Sequence, residues 1–182
     1  MKWCHGVATT LTTAVSDLKA DRLTNSQKSR NVDILVLNAS IQCNAWYEIT
    51  AEEMETQLQT NFKSSLRLIQ LMYPHMKENH WGRIVTIGSV QQYKPHRDMA
   101  VYAASKAAQM NLVTNVAKQI APDGITLNNL SPGVIATPRN ADALADPVYS
   151  AQVMAGIPAG FAGEAKDVPE PPSSSAPKKA AT

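Results

Sequence analysis

The chain has 182 residues, of which 44% are hydrophobic and 18% are charged, and its formal net charge at pH 7 is +2. These values are typical of a soluble domain with a sizeable core, and so small a charge gives no support for a nucleic-acid or anionic-membrane partner. Cys4 and Cys43 lack the spacing of a metal site or a disulfide framework, so we predict neither. No segment is apolar enough to span a membrane, and we expect a cytoplasmic protein.

Composition divides the chain into four parts. Residues 1–31 form a lead rich in Thr, Ser and Asn, residues 32–163 carry the strong periodic patterns, and residues 164–168 are a charged transition. Residues 169–182 contain no apolar residue larger than alanine or proline, which predicts a disordered tail.

The first periodic elements are a strand and a long helix. The apolar run from Val32 to Leu37 has the length and composition of a parallel strand covered on both faces. Thr50 and Glu53 have the spacing of a capping box, which predicts the start of the helix, and Pro74 should bend its last turns. The predicted apolar face of this helix comprises Met54, Leu58, Phe62, Leu66, Ile69, Met72 and Met76.

The following pattern repeats this alternation. Residues 82–89 predict a second buried strand, residues 99–121 a second helix that ends at Pro122-Asp123-Gly124, and residues 125–130 a third strand. Strand, helix, strand, helix, strand is typical of an α/β fold with a parallel sheet. Asn38, Ser89 and Pro132-Gly133 follow the three strands, at the edge where such sheets bind ligands.

Tyr102 and Lys106 are four residues apart and therefore share one face of the second helix. An ammonium beside a phenol favours the phenolate, so the pair suits proton transfer to or from an oxygen. Ser89, at the end of the preceding strand, could hold the same oxygen. The spacing alone is weak evidence, because Tyr73 and Lys77 repeat it near the end of the first helix, where we interpret Tyr73 as structural.

Together these motifs resemble the short-chain dehydrogenase/reductase family. The run Tyr102-Ala-Ala-Ser-Lys106-Ala-Ala resembles its active-site helix, and Ile84-Val85-Thr86-Ile87-Gly88-Ser89 is similar to the strand that carries its serine. Leu37-Asn38-Ala39-Ser40 is similar to the family's Asn-Asn-Ala-Gly turn, and Gln59-Thr60-Asn61-Phe62 matches its helix asparagine. Asn129-x-x-Pro132-Gly133-x-x-x-Thr137 resembles its nicotinamide loop. The resemblance extends from about residue 32 to residue 168.

The resemblance implies a 3-oxoacyl-carrier-protein-reductase-like enzyme that interconverts a small-molecule carbonyl and a secondary alcohol. It implies that Tyr102 is the acid/base, that Ser89 binds the substrate oxygen and that Asn61 anchors a relay water. Lys106 would assist Tyr102 and hold the nicotinamide ribose. The cofactor, NAD or NADP, would be contacted by Asn38, Lys106, Pro132, Gly133 and Thr137.

The resemblance is incomplete at both ends. The family's cofactor half contains a Thr-Gly-x-x-x-Gly-x-Gly turn whose glycines let the backbone approach a pyrophosphate. Here Gly6 is the only glycine before Gly82, and the chain runs into Pro169-Glu170-Pro171-Pro172 where the family has its last strand. We therefore predict an α/β, Rossmann-like parallel sheet with flanking helices, whose first βαβ cofactor half and last strand are missing or degenerate. Residues 1–31 would be a degenerate lead, 32–168 the catalytic domain and 169–182 the tail.

Two functions stay open. The first is an active NAD(P)-dependent oxidoreductase, and the alternative is a truncated, catalytically inactive homologue that is a fragment or the partner of an intact subunit. An open sheet edge predicts association, either as a homo-oligomer or with an intact homologue. The sequence predicts no nucleic-acid, membrane or metal partner.

Overall fold

The structure is a computed structural model and describes residues 32–43 and 45–168. The predicted lead, 1–31, and the predicted tail, 169–182, lie outside the described residues. The chain divides into two compact units, of which the first extends to Leu130 and the second begins at Ser131.

The first unit contains a three-stranded parallel sheet. Its strands are β1 (Ile34–Leu37), β2 (Gly82–Ile87) and β3 (Ile125–Leu130), and their spatial order is β1-β2-β3. The three strands coincide with the three apolar runs of the sequence, because such runs suit strands within a parallel sheet. The predicted parallel α/β sheet with flanking helices is confirmed.

The strand register places the three carboxyl ends at one edge of the sheet. Leu37, the last residue of β1, pairs with Thr86, which in turn pairs with Asn129 of β3. Asn38 and Ser89 therefore follow neighbouring strand ends, where parallel sheets bind ligands.

The helices begin and end close to their predicted limits. The first comprises α1 (Ala51–Leu58), a π-helical turn (Gln59–Lys63) and α2 (Ser64–Glu78), and it begins at the predicted capping box. The second is α3 (Ala100–Ile120). After α3, a 3-10 turn ends at Gly124, whose φ of 76° is readily adopted by glycine.

The predicted apolar face of the first helix is wrong in its N-terminal half. Met54 is 42% exposed, and Leu58 and Phe62 are only partly buried. The buried side chains there are polar: Gln57, Thr60, Asn61, Ser64 and Ser65. The π turn adds a residue to one turn of the helix and so shifts the buried face between its two halves. In α2, Ile69, Met72 and Met76 of the predicted face are buried, and Leu66 is partly buried.

The hydrophobic core of the first unit is formed by the sheet together with α2 and α3. Its buried members are Leu37, Ile69, Met72, Met76, Ile84, Val113, Ile120, Ile125 and Leu127. No helix of the described ranges is both long and apolar enough to cross a membrane.

The second unit contains two short helices, α4 (Ala141–Ala145) and α5 (Pro147–Ala155). Asp146 caps α5 by accepting hydrogen bonds from the backbone N–H groups of Val148 and Tyr149, at 2.9 and 3.1 Å. An isolated parallel β-bridge joins Ile135, before the two helices, to Gly163, after them.

Ile84 and Val36 lie on adjacent strands and differ in burial, since Ile84 is fully buried and Val36 is 41% exposed. We expect Ile84→Ala to lower the free energy of unfolding by about 2–5 kcal/mol through lost burial and a residual cavity. Val36→Ala should cost less than about 1 kcal/mol because the valine already contacts water. Urea denaturation followed by circular dichroism measures both, and equal losses would contradict the assigned core.

Candidate active site

Ser89 is fixed by the turn that follows β2. Its backbone is extended, and its Oγ accepts a hydrogen bond from the backbone N–H of Gln91 at 3.2 Å, which caps a 3-10 turn over Val90–Gln92. The serine is partly buried. The local sequence therefore holds a hydroxyl at the carboxyl end of the central strand.

Tyr102 and Lys106 lie in the first turns of α3. The Lys106 Nζ is 5.9 Å from the centroid of the Tyr102 ring, and it donates a hydrogen bond to the carbonyl oxygen of Ile87 at 2.7 Å. Tyr102 is partly exposed, whereas Lys106 is only 1% exposed. Because Ile87 ends β2, this bond fixes the start of α3 to the strand end two residues before Ser89. The structure thus brings the predicted catalytic trio to one end of β2.

The buried Lys106 ammonium contacts a second polar side chain. Gln109 Oε1 lies 3.3 Å from Lys106 Nζ, and Gln109 Nε2 donates to Ser65 Oγ at 2.9 Å. Both Gln109 and Ser65 are buried. An ammonium shielded from water requires such acceptors, since burial without them disfavours the charged form.

Asn61 lies in the π turn and is fully buried. Its Oδ1 accepts a hydrogen bond from Ile41 N, and its Nδ2 donates to Ile41 O, both at 2.8 Å. Nδ2 also donates to Ser105 Oγ at 3.1 Å, next to Lys106 in the chain. The side chain thus positions both the segment after β1 and the start of α3. The predicted role of Asn61 in anchoring a relay water stays a prediction.

Asn38 follows β1 directly and is exposed, whereas the segment that comes after it in the chain is held by hydrogen bonds. Asn61 holds Ile41, and the Oε1 of buried Gln57 accepts a hydrogen bond from Cys43 N at 2.7 Å. Asn38 is therefore presented at the carboxyl edge of the sheet by a segment with fixed contacts.

Pro132, Gly133 and Thr137 belong to the second unit. Gly133 is exposed, and a Cβ added there would meet nothing within 4 Å. Thr137 precedes the 3-10 turn Pro138–Asn140. Because these three residues lie outside the first unit, their contacts with a cofactor stay predictions.

Sequence reasoning missed the polar residues that support the trio: Ser65, Ser105 and Gln109. Gln109 lies three residues after Lys106, a spacing that places two side chains on one helix face. That spacing was an available signal. The bonds of Ser105 to Asn61 and of Gln109 to Ser65 each join residues 44 positions apart, and no local pattern indicates them.

Asn129 was predicted only as part of the nicotinamide loop, and its side chain has a contact that the sequence did not indicate. Thr86 Oγ1 donates to Asn129 Oδ1 at 2.7 Å, and Asn129 Nδ2 lies 3.4 Å from Gln92 Oε1. A Cβ at Gly88 would lie 2.5 Å from Asn129 Nδ2. A side chain at residue 88 would therefore displace Asn129, which packs directly over the end of β2.

Tyr73 and Lys77 provide a second pair with the same spacing. Lys77 Nζ is 5.5 Å from the Tyr73 ring, and Tyr73 donates its hydroxyl hydrogen to Asp123 Oδ2 at 2.7 Å. The hydrogen bond to Tyr73 and the charge of Asp123 raise the pKa of the exposed Lys77 ammonium. The pair joins α2 to the turn after α3, in agreement with the structural interpretation of Tyr73.

The residues at this edge fit the nicotinamide-ribose end of a dinucleotide. Lys106 supplies a buried cation and Asn38 an exposed amide at the carboxyl ends of the strands. The pyrophosphate end is different, because none of the described residues before Gly82 is a glycine that would let the backbone approach phosphates. Within the described ranges, no group of three His, Cys, Asp or Glu side chains could hold a metal ion.

A parallel sheet flanked by helices, with Ser89, Tyr102 and Lys106 at the carboxyl end of its central strand, defines an α/β protein with a candidate acid/base site. The sequence model described as short chain dehydrogenase matches residues 6–147, so this chain belongs to the short chain dehydrogenase family. This match begins at residue 6 and so includes most of the lead, whereas the motifs quoted above begin only at about residue 32.

Individual relatives support the same family. The chain is 37% identical over 139 residues to the 3-oxoacyl-[acyl-carrier-protein] reductase FabG of Haemophilus influenzae, covering 76% of this chain and 57% of that protein. It is 33% identical over 138 residues to a tropinone reductase homologue of Arabidopsis thaliana, covering 75% of this chain and 52% of that protein. The chain thus spans little more than half the length of these relatives.

Solved structures show the same fold. A 3-oxoacyl (acyl-carrier-protein) reductase from Agrobacterium tumefaciens with NADP bound has a TM-score of 0.72 and 36% identity, covering 88% of this chain and 60% of that chain. A putative NAD(P)-dependent gluconate 5-dehydrogenase from Beutenbergia cavernae has a TM-score of 0.73 and 30% identity, covering 90% of this chain and 61% of that chain.

Replacing Asn61 should loosen the segment after β1. Asn61→Ala leaves the backbone N–H and C=O of buried Ile41 without this partner. We therefore expect the free energy of unfolding to fall by about 2–5 kcal/mol. The Ile41 amide should also exchange with solvent faster. Asn115→Ala is the control, since Asn115 is exposed on α3 and should change stability by about 0.5 kcal/mol or less. Unchanged exchange at Ile41 would contradict the positioning role of Asn61.

Proposed function

We propose that this chain carries the catalytic residues of an NAD(P)-dependent oxidoreductase that interconverts a carbonyl compound and a secondary alcohol. The observation that carries the proposal is the position of Lys106. Its buried ammonium lies 5.9 Å from the Tyr102 ring and is bonded to the last carbonyl of β2, two residues before Ser89. Family membership and the similarity to 3-oxoacyl-[acyl-carrier-protein] reductases support the same activity.

Each member of the trio has one task in this proposal. In the reducing direction, Ser89 donates a hydrogen bond to the substrate oxygen, and Tyr102 gives its hydroxyl proton to the developing alkoxide. Lys106 stabilises the phenolate that remains, because its buried positive charge lies beside the ring. In the oxidising direction, the Tyr102 phenolate takes the proton from the alcohol.

The nicotinamide, when bound, supplies or accepts the hydride. Lys106 would hold its ribose, and Asn38 would lie on the cofactor side of the sheet edge. The contacts of Pro132, Gly133 and Thr137 with the nicotinamide stay a prediction from the resemblance. NADP is the first form to test, because the Agrobacterium tumefaciens relative was solved with NADP bound. A water held at Asn61 would connect the site to solvent, as the resemblance implies.

The resemblance places substrate contacts in the turn that follows Ser89. Gln92 and Tyr93 also line a pocket of about 210 Å³ with Ala107, Met110, Asn111 and Thr114 of α3. Ser89, Tyr102 and Lys106 do not line this pocket, so it does not identify the substrate site. A 3-oxoacyl thioester is the first substrate class to test, by analogy with the bacterial relatives. Association with a second copy or with an intact homologue, and a cytoplasmic location, stay predictions from the sequence.

Nicotinamide binding tests the cofactor half of the proposal. Titration of the purified protein with NADPH and NADH, followed by nicotinamide fluorescence, should give saturable binding. Lys106→Ala should weaken it at least about tenfold, because a hydrogen bond to a charged group contributes roughly 1.5–3 kcal/mol. Lys77→Ala, in the second pair, should leave it unchanged. A folded wild-type protein that binds neither form would instead favour the alternative, an inactive homologue.

The acid/base assignment has its own test. Tyr102→Phe should lower the turnover of a 3-oxoacyl thioester by about 10²–10⁴-fold, because the proton donor is removed while the ring remains. Nicotinamide affinity should not change. Tyr73→Phe removes a hydroxyl at the other pair and should leave turnover within about twofold. A Tyr102→Phe protein with wild-type turnover would refute the assignment.

A further inference from the structure

We propose that Gln109, held by Ser65, is a positioning residue that keeps the Lys106 ammonium charged and oriented towards the end of β2. The inference deepens the proposed function and rests on it, because Lys106 assists Tyr102 there. Gln109 would touch neither substrate nor cofactor and would act only through Lys106.

The hydrogen bonds fix the orientation of the Gln109 amide. Lys106 Nζ can only donate, so the group 3.3 Å away must be the amide oxygen of Gln109. The amide nitrogen then faces the hydroxyl of Ser65 at 2.9 Å and donates to it. Because Gln109 is 1% exposed and Ser65 is also buried, water does not compete for these bonds. α2 therefore holds the amide, and the amide faces the ammonium.

The chemistry of an amide suits this position. A carbonyl oxygen that accepts from an ammonium favours its charged form, which burial alone would disfavour. A carboxylate would also favour the ammonium, but its negative charge would offset the positive charge that stabilises a phenolate at Tyr102. Gln109 is neutral, so it stabilises the ammonium without this opposing charge.

A second buried glutamine shows what a structural role looks like in the same protein. Gln57 is equally buried, and its Oε1 accepts a hydrogen bond from the backbone N–H of Cys43 at 2.7 Å. It thus supports a backbone segment, whereas Gln109 faces a charged side chain. Gln57→Leu is consequently a matched control for Gln109→Leu, since each replaces one buried amide by an apolar group of similar size.

The first measurement needs no activity. In ¹H–¹⁵N spectra of lysine ammonium groups, a buried and hydrogen-bonded Lys106 should give a signal protected from solvent exchange, assigned by its loss in Lys106→Ala. Gln109→Leu should remove or strongly broaden that signal, and Gln57→Leu should keep it. Gln109→Glu should also keep it, because an acceptor remains. An unchanged Lys106 signal in Gln109→Leu would overturn the inference.

The second measurement is the pH dependence of alcohol oxidation, which requires the phenolate. A weakened ammonium stabilises the phenolate less, so the acid limb of the pH profile should move to higher pH in Gln109→Leu. The acid limb should also move to higher pH in Gln109→Glu, because the added negative charge opposes formation of the phenolate. In Gln57→Leu the acid limb should stay at its wild-type pH. An unmoved limb in an active Gln109→Leu protein would make Gln109 merely structural and refute the inference.

The two measurements separate this inference from the proposed function. If the wild-type protein binds no nicotinamide and turns over no carbonyl substrate, the proposed function fails. The ammonium spectra then decide alone whether Gln109 positions Lys106. If the wild-type protein is active, both the spectra and the pH profile must change as stated for the inference to stand.

Discussion

The arrangement of the first unit depends on the buried side chain of Asn61. A backbone N–H or C=O that is shielded from water must find a partner, and Ile41 has both groups bonded to this one amide. The same amide reaches Ser105 at the start of α3. One residue therefore joins the segment after β1 to the helix that carries Tyr102 and Lys106. The π turn contributes to this arrangement, because it turns Asn61 and other polar side chains of the first helix towards the interior.

The same physical rule governs Lys106. Burial of an ammonium is costly unless acceptors replace water, and the acceptors come from the end of β2 and from Gln109. Gln109 is in turn held by Ser65, four residues after Asn61 on the first helix. The polar face of the first helix thus supports α3 at two points, through Asn61 and through Ser65. An error in packing between these helices would leave the Ile41 backbone without the Asn61 amide and the buried Gln109 amide without Ser65.

The sequence predicted the strands, the capping box, α3 and the clustering of Ser89, Tyr102 and Lys106, because each depends on local pattern or on a regular parallel sheet. It failed for the first helix at Met54, Leu58 and Phe62, since a period of 3.6 residues assumes an unbroken α-helix. The π turn shifts that period. The supporting bonds were also beyond local patterns, as they join residues 44 positions apart on two helices.

The two Tyr-x-x-x-Lys pairs show why environment, and not spacing, decides the chemistry. Their geometry is nearly the same, with Nζ 5.5 or 5.9 Å from the ring centroid. Lys77 is exposed and lies 3.7 Å from the carboxylate of Asp123, so water and an opposite charge weaken its field. Lys106 is buried and donates to two neutral oxygens. Water therefore weakens the field of this buried charge less than it weakens that of Lys77, although the neighbouring Tyr102 is itself partly exposed.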